Sequence, residues 1–173
     1  MKTPTLTTKR LTMRAPTPSD LAAYTAFNAV SDTTVGSYRG GKSPDEVQQV
    51  LDRDIAHWTK GFGMFLLCLP TGEIIGGTGL VIPQGWDSHE LTWWLMPAHR
   101  RFGYATEASL AVIAFAYDTL NWSQVETMMR DENLPARQLA IRLGGQIARR
   151  QTCPDGVARD VFALPRFTAK ATV

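Results

Sequence analysis

The sequence predicts an α/β (α+β) fold, a mixed and mostly antiparallel sheet of about seven strands that is flanked by helices. Apolar alternation and short apolar runs mark strands, while longer stretches with apolar side chains at helical spacing mark helices. Turns at 70–73 and 154–156 join neighbouring strands as hairpins. The resulting order is strand, two helices, three strands, helix, strand, helix and two strands, which places helices on both sides of the sheet.

The first third of the chain contains one strand and two helices. Residues 9–15 alternate loosely and precede a turn rich in proline, which indicates a strand. A polar residue at 19–20 can cap a helix that runs to about residue 29. Residues 43–46, Ser-Pro-Asp-Glu, combine a capping box with proline at the first helical position, so a second helix begins there and ends at Gly61.

The remaining elements follow from the same patterns. The predicted strands are 62–69, 74–82, 90–96, 125–129, 146–152 and 158–164, and the predicted helices are 105–120 and 135–143. In the strand 90–96, alternation places Glu90, Thr92, Trp94 and Met96 on one face. The helix 105–120 has almost no polar face, so we expect it to be well buried.

Composition excludes several classes of protein. With 173 residues, 44% hydrophobic and 20% charged, the chain is expected to form one globular domain over 1–173. A net charge of +2 is too small to predict a nucleic-acid or membrane partner. The sequence shows no secretory signal, no apolar run near the ~18 residues of a membrane span, and two cysteines without a disulfide framework. We therefore expect a cytoplasmic protein.

The segment 100–106 has the composition of an anion site. It lies between a predicted strand and a predicted helix, and the first turn of a helix leaves backbone N–H groups free where the dipole is positive. Gly103 and Ala105 keep side-chain bulk away from the backbone, while Arg100 and Arg101 add charge that suits phosphate. The absence of Gly-x-Gly-x-x-Gly and of a P-loop lysine argues against a dinucleotide or nucleoside-triphosphate site.

The pattern Arg-x-x-Gly-x-Ala at 100–105 resembles the pyrophosphate loop of the GNAT family of N-acetyltransferases, which bind acetyl-CoA. The neighbouring residues 90–97 and 103–108 resemble the RimJ/RimL-like branch, which includes acetyltransferases of ribosomal-protein N-termini. Further stretches resemble that branch in the expected order: 8–14 with Asp20, 72–80, 133–136 and 143–144.

This resemblance implies a geometry and a set of cofactor residues. The strands ending near 96 and 129 would splay apart, and the thioester of acetyl-CoA would lie between them, with a backbone N–H near Leu95 or Met96 bound to its carbonyl. Asn133 would orient the pantetheine arm, or it would simply cap the following helix. The implied cofactor-binding residues are Leu95, Met96, Arg100, Arg101, Phe102, Gly103, Tyr104, Ala105, Thr106 and Asn133.

Glu90 is the candidate catalytic residue, because an ammonium group must lose a proton before its nitrogen can attack and a carboxylate can accept it. The alternative is a solvent-exposed or salt-bridged glutamate. Trp86 and Trp94 are the candidate acceptor-binding residues. The chain departs from the family at three places: Ala136 replaces a frequent serine, Ala140 replaces a frequent tyrosine acid, and Gly145 replaces a phenylalanine.

The function predicted is transfer of an acetyl group from acetyl-CoA to a primary amine by direct attack, without a metal. The amine belongs either to a protein or peptide N-terminus or to a small molecule, as in a drug- or metabolite-modifying enzyme of the same fold. A CoA-binding module without catalysis is the alternative from another class, and the oligomeric state, a homodimer included, stays open. The loops 30–42 and 83–89, which would choose the acceptor, follow no known code.

Overall fold

The computed structural model describes residues 3–34, 36, 38–83 and 85–167, and within them the chain forms eight strands and four α-helices. In chain order they are β1 (Leu6–Thr7), β2 (Thr12–Arg14), α1 (Leu21–Val30), α2 (Pro44–His57), β3 (Met64–Cys68), β4 (Ile74–Val81), β5 (Glu90–Leu95), α3 (Tyr104–Ala114), β6 (Val125–Met129), α4 (Leu134–Arg142), β7 (Gln146–Thr152) and β8 (Ala158–Leu164). The predicted class and order are confirmed. No helix in these ranges is long and apolar enough to cross a membrane.

Two elements differ from their predicted form. The single strand predicted at 9–15 is a hairpin of β1 and β2, closed by a bond from the Thr8 N–H to the Leu11 carbonyl of 2.9 Å, and this extra strand makes the count eight. The helix predicted to reach residue 120 loses its α-helical bonding after Ala114. It continues as a wider turn in which the Leu120 N–H reaches Phe115 O, and Asn121, with φ of 55°, ends it.

The start of α2 shows why the local prediction succeeded. The Ser43 hydroxyl accepts a hydrogen bond from the Glu46 N–H at 3.2 Å, and the Glu46 carboxylate accepts one from the Ser43 N–H at 2.7 Å. This capping box satisfies two backbone donors that the first helical turn leaves free, so four adjacent residues suffice to fix the helix start.

The strands form two sheets with the orders β1-β2-β3-β4-β5 and β6-β8-β7, in which all neighbours are antiparallel. The sheets meet where β5 lies beside β6: His89 Nε2 is 3.2 Å from Gln124 O, and the Thr127 hydroxyl donates to Leu91 O at 2.8 Å. These contacts advance along both strands together, so β5 and β6 run parallel. No backbone ladder joins them within the described residues, which confirms the predicted splay.

Two apolar layers cover the first sheet. One lies against α3 and contains Phe65, Leu91 and Val112, all fully buried. The other lies against α1 and α2 and contains Leu51 and Met64, together with aromatic side chains of α1 and β5. Helix α4 packs beside β6 on the second sheet.

Candidate active site

The segment that links β5 to α3 presents a row of unsatisfied backbone donors. Arg101 (φ 69°) and Gly103 (φ 82°) are both left-handed, and this turns the chain into the first turn of α3. Within the described residues, none of the N–H groups of residues 101–106 has a hydrogen-bond acceptor, and the first helical bond is donated by the Glu107 N–H to Gly103 O at 3.0 Å. Six consecutive free donors at a helix N-terminus form a concave site suited to phosphate oxygens.

Neighbouring side chains hold this loop from both ends. Arg100 Nε donates to Leu95 O at 3.2 Å, which ties the loop to the end of β5. Arg10, in the N-terminal hairpin, donates through Nη1 to Phe102 O at 2.8 Å and through Nε to the Glu107 carboxylate at 2.6 Å. The sequence does not predict the contact of Arg10, because its partners lie more than ninety residues away.

The end of β5 offers one of the two backbone donors implied for the thioester carbonyl. The Met96 N–H is already bound to Ile75 O at 2.9 Å. Because N–H groups alternate between the two edges of an antiparallel strand, the N–H of Leu95 points away from β4, toward the cleft. The Met96 N–H is therefore not free to bind a thioester carbonyl, whereas the Leu95 N–H is, and its role as that donor stays a prediction.

A cavity of about 310 Å³ lies in the cleft and contains Glu90. The Glu90 side chain is buried, with 7% of the residue exposed, and no described residue donates a hydrogen bond or forms an ion pair with its carboxylate. Burial raises the pKa of Glu90 to about 8, against the opposing charge of Arg159. This geometry does not fit the alternative of an exposed or salt-bridged glutamate.

Arg159 stands on the opposite wall of the cavity. Its guanidinium donates to the Asp155 carboxylate through two nitrogens, at 2.7 and 2.5 Å, and lies 5.7 Å from the Trp86 ring centroid. The predicted acceptor residue Trp86 lines the cavity as expected.

The structure places Trp94 elsewhere. It is 3% exposed, and its ring centroid lies 5.4 Å from that of Tyr24 and 4.7 Å from that of Phe27, in the core against α1. Its neighbour Trp93 projects from the other face of β5 and lines the cavity instead. The sequence assigns the alternation on β5, but residues of both faces line the cavity: Glu90 and Thr92 from the face of Trp94, and Leu91 and Trp93 from the other. Trp94 lies farther along the strand, where aromatic side chains of α1 cover it, and this depends on packing between distant parts of the sequence.

The three departures from the family pattern occupy confined places. Ala140 is fully buried against Met129 and Phe162, so there is no room for a tyrosine in this packing. A Cβ on Gly145 would lie 2.7 Å from Ala140 O, which explains the absence of a larger residue. Ala136 lines the cavity next to Asn133, whose side chain caps α4 by accepting the Ala136 N–H at 3.3 Å. Asn133 therefore caps α4, as predicted, and it also lines the cavity, while its predicted contact with the pantetheine arm stays a prediction.

A buried carboxylate anchors the loop that precedes α2. Asp54 accepts hydrogen bonds from the hydroxyls of Tyr24, at 2.9 Å, and Tyr38, at 2.8 Å, and pairs with Arg53. Burial raises the pKa of Asp54, although the charge of Arg53 opposes this. Because Tyr38 also lines the cavity, Asp54 fixes part of the predicted acceptor loop. Positions 35, 37 and 84 of the loops predicted to choose the acceptor lie outside the described residues.

Comparison with known proteins identifies the class: residues 10–146 match the acetyltransferase (GNAT) domain, and the chain belongs to this family of acyltransferases. It is similar to the uncharacterized N-acetyltransferase YoaA of Bacillus subtilis (strain 168), with 24% identity over 149 residues, 83% of each protein.

Among solved structures, an acetyltransferase from Agrobacterium tumefaciens str. C58 has a TM-score of 0.84 and 30% identity, over 95% of this chain and 96% of that one. RimL, a ribosomal alpha-N-protein acetyltransferase in complex with coenzyme A, has a TM-score of 0.73 over 94% of this chain and 99% of its own. At 15% identity RimL shows a shared fold only. The predicted family is thus confirmed, and its fold is shared with RimL.

Proposed function

We propose that the chain transfers an acetyl group from acetyl-CoA to a primary amine, and that Glu90 accepts the amine proton. The single observation that carries this proposal is the buried Glu90 carboxyl in the cleft between β5 and β6, which has no hydrogen-bond or ion-pair partner among the described residues and lies on the strand that leads to the donors of 101–106. Bound acetyl-CoA supplies a thioester carbon that the amine attacks and a thiolate leaving group.

Three groups of the chain would bind the cofactor, stabilise the carbonyl oxygen and accept the proton. The N–H groups of 101–106 hold pyrophosphate oxygens, and the Leu95 N–H donates to the oxygen that gains charge. Glu90, once ionised, takes one proton from the attacking ammonium, directly or through water. An N-terminal ammonium has an ordinary pKa of about 7.7–8.0, close to the pKa of about 8 of Glu90, so proton transfer from such an acceptor costs little free energy.

No side chain is proposed as general acid. The position of the usual tyrosine is Ala140, and Tyr104 lies under the Arg10 guanidinium, 4.4 Å from its Cζ to the ring centroid. A thiol with an ordinary pKa near 8.5 leaves as thiolate without prior protonation. The reaction then needs only the carbonyl donor, the base and the bound acceptor.

The acceptor is proposed to be a protein or peptide N-terminus or a small-molecule amine, and the reaction is proposed to take place in the cytoplasm. RimL, with its ribosomal alpha-N-protein substrate, favours the first choice by likeness of fold. The mixed charge of the cavity, which holds Glu90, Asp155 and Arg159, suits a polar acceptor but does not choose between them. The alternative of a CoA-binding module without catalysis is opposed by the unpaired Glu90.

Two measurements test the proposal in sequence. At a hundredfold excess over its Kd, acetyl-CoA stabilises the native state by about 2.7 kcal/mol, which raises the melting temperature by roughly 5–10 °C for a domain of this size. CoA analogues truncated to pantetheine should raise it less. Thiol release with a panel of amines and N-terminal peptides then separates catalysis from binding: a thermal shift without release from any acceptor favours the binding module, and no shift at millimolar acetyl-CoA contradicts the proposal.

A further inference from the structure

The N-terminal hairpin is joined to the first turn of α3 by one carboxylate. Glu107 accepts hydrogen bonds from the Thr8 hydroxyl at 2.6 Å, from the Arg10 backbone N–H at 2.8 Å and from Arg10 Nε at 2.6 Å. Both Glu107 oxygens are used within the protein. The contact spans almost a hundred residues of sequence, so its arrangement is built by the fold rather than by local structure.

The same guanidinium reaches the candidate cofactor loop. Arg10 Nη1 donates to Phe102 O at 2.8 Å, and the Arg10 Cζ lies 4.4 Å from the Tyr104 ring centroid. Phe102 stands between the two left-handed residues of the loop, Arg101 and Gly103. A left-handed arginine costs conformational free energy, and such a conformation persists only where the surroundings enforce it. The bond to Phe102 O is the side-chain contact that fixes the peptide between them.

Charge makes the position of Glu107 significant. A carboxylate in the first turn of α3 lies beside the free N–H groups proposed to hold pyrophosphate, where its charge would repel the ligand. Partial burial acts against ionisation, but the bonds from Thr8 and Arg10 keep the pKa of Glu107 below its ordinary value. The carboxylate is therefore charged, and Arg10 is the cation that compensates it.

We propose that Arg10 is a positioning residue of the cofactor loop, acting through Phe102 and Glu107 rather than by contact with acetyl-CoA. Its guanidinium holds the Phe102 carbonyl so that the six donors stay aligned, and it cancels the Glu107 charge beside them. This inference rests on the proposed binding of acetyl-CoA at 101–106.

The test measures acetyl-CoA affinity by calorimetry for the wild type and for Arg10→Met, Arg10→Lys, Glu107→Gln and the double variant Arg10→Met/Glu107→Gln. The chain supplies a matched control in Arg14→Met. Arg14 lies in the same hairpin, is exposed to a similar degree (36% against 39%), and makes a comparable pair with Asp20 at 2.7 Å, but its bonds go to Asp20 and Ala15 and not to the loop.

Arg10→Met should weaken acetyl-CoA binding by about 10- to 100-fold, the range for loss of a charge-assisted hydrogen bond. Arg10→Lys should be intermediate, because an ammonium keeps the charge but lacks the fork that reaches both partners. The double variant should bind more tightly than Arg10→Met, since the uncompensated carboxylate is gone, and the defect of Arg10→Met should shrink at higher ionic strength. The KM for the acceptor should not change. Arg14→Met should lower stability while acetyl-CoA affinity stays at the wild-type value.

Equal affinities for Arg10→Met, Arg14→Met and wild type would overturn the inference while the proposed function stands. If the double variant binds acetyl-CoA no more tightly than Arg10→Met, the part of the inference that concerns cancellation of the Glu107 charge is overturned. A wild type that does not bind acetyl-CoA would overturn both the inference and the proposed function. If Arg10→Met does not fold, the ratio of affinities between Arg10→Lys and wild type decides, because lysine retains the charge and most of the packing.

Discussion

In the proposed mechanism the ionisation of Glu90 controls both the free energy of unfolding and the rate, and this gives one prediction with two independent readouts. The side chain is buried without a hydrogen-bond or ion-pair partner among the described residues, and its pKa is raised by burial from 4.5 to about 8. At pH 7 only about one tenth of the molecules then carry the carboxylate that the reaction needs. Glu90→Gln keeps the shape of the protonated form and removes the ionisation.

The sign of the stability effect follows from proton binding. Between pH 4.5 and about 8 the folded chain retains the Glu90 proton that the unfolded chain has released. The contribution of this proton to the free energy of unfolding is therefore fully present below pH 4.5 and is lost as the pH rises through that window. Each pH unit inside it costs about 1.4 kcal/mol. The difference in unfolding free energy between Glu90→Gln and wild type should therefore grow, in favour of the variant, by about 4 kcal/mol from pH 4.5 to pH 8.

Urea denaturation of Glu90→Gln and wild type from pH 4.5 to pH 8 measures this difference in unfolding free energy. The contributions of the other titrating groups are the same in both proteins and cancel. Independently, kcat/KM of the wild type should rise up to a pH of about 8. Glu90→Gln should be 10²- to 10⁴-fold slower near neutrality, with a deficit that narrows at alkaline pH as the amine deprotonates by itself. Glu126→Gln is the control, because Arg149 binds that carboxylate outside the cavity at 2.6 Å. A stability difference that is flat with pH would refute the burial reasoning, and wild-type rates in Glu90→Gln would remove Glu90 from the mechanism.

Two further variants test the loop and the acceptor wall. Gly103→Val should keep native-like circular dichroism but lose at least about tenfold in acetyl-CoA affinity, measured by thermal shift, because valine disfavours the φ of 82° on which the row of N–H donors depends. Gly61→Val is the control, since Gly61 has a φ of 84° and no atom lies within 4 Å of an added Cβ. It carries the same backbone strain and should bind acetyl-CoA normally. Asp54→Asn should lower the unfolding free energy by about 1–3 kcal/mol in urea, because two tyrosine hydroxyls and Arg53 lose their carboxylate partner. Asp52→Asn, whose exposed carboxylate accepts a bond from the exposed Gln48 amide, should be neutral. Equal midpoints for the two variants would show that the buried carboxylate does not hold the loop.

Elements that are fixed by adjacent residues could be predicted from the sequence. The capping box at Ser43 and the Asp-Gly turn between β7 and β8 each act over a few residues, and both are found where predicted. The pair β1 and β2 could not be separated, because strands of two and three residues carry no readable alternation. The early end of α3 depends on the wide turn at 115–119, whose apolar residues would equally suit an α-helix.

The candidate site divides in the same way. Gly103 and the two loop arginines are local in sequence, so residue types alone suffice to predict an anion site there, and its binding of phosphate stays a prediction. Arg10 acts through Phe102 and Glu107 across the whole chain, and no local pattern reveals such a contact. The absence of Trp94 from the cavity wall depends on its packing against α1, and the Met96 N–H is already bound to Ile75 O of β4. Both contacts join residues that are distant in the sequence.

The uncovered edge of β5 has a consequence for how the molecule opens. Within the described residues no backbone ladder joins β5 to β6, and the two sheets are held together there by contacts such as the bond from the Thr127 hydroxyl to Leu91 O. In hydrogen exchange, the amides of β6 next to the cleft should therefore exchange through local separation of the sheets well before those of β3 and β4, which are bonded on both edges. An extended ligand bound between β5 and β6 would suppress this separation. Amide exchange should then slow in β6 and also in β8, the strand that pairs with it.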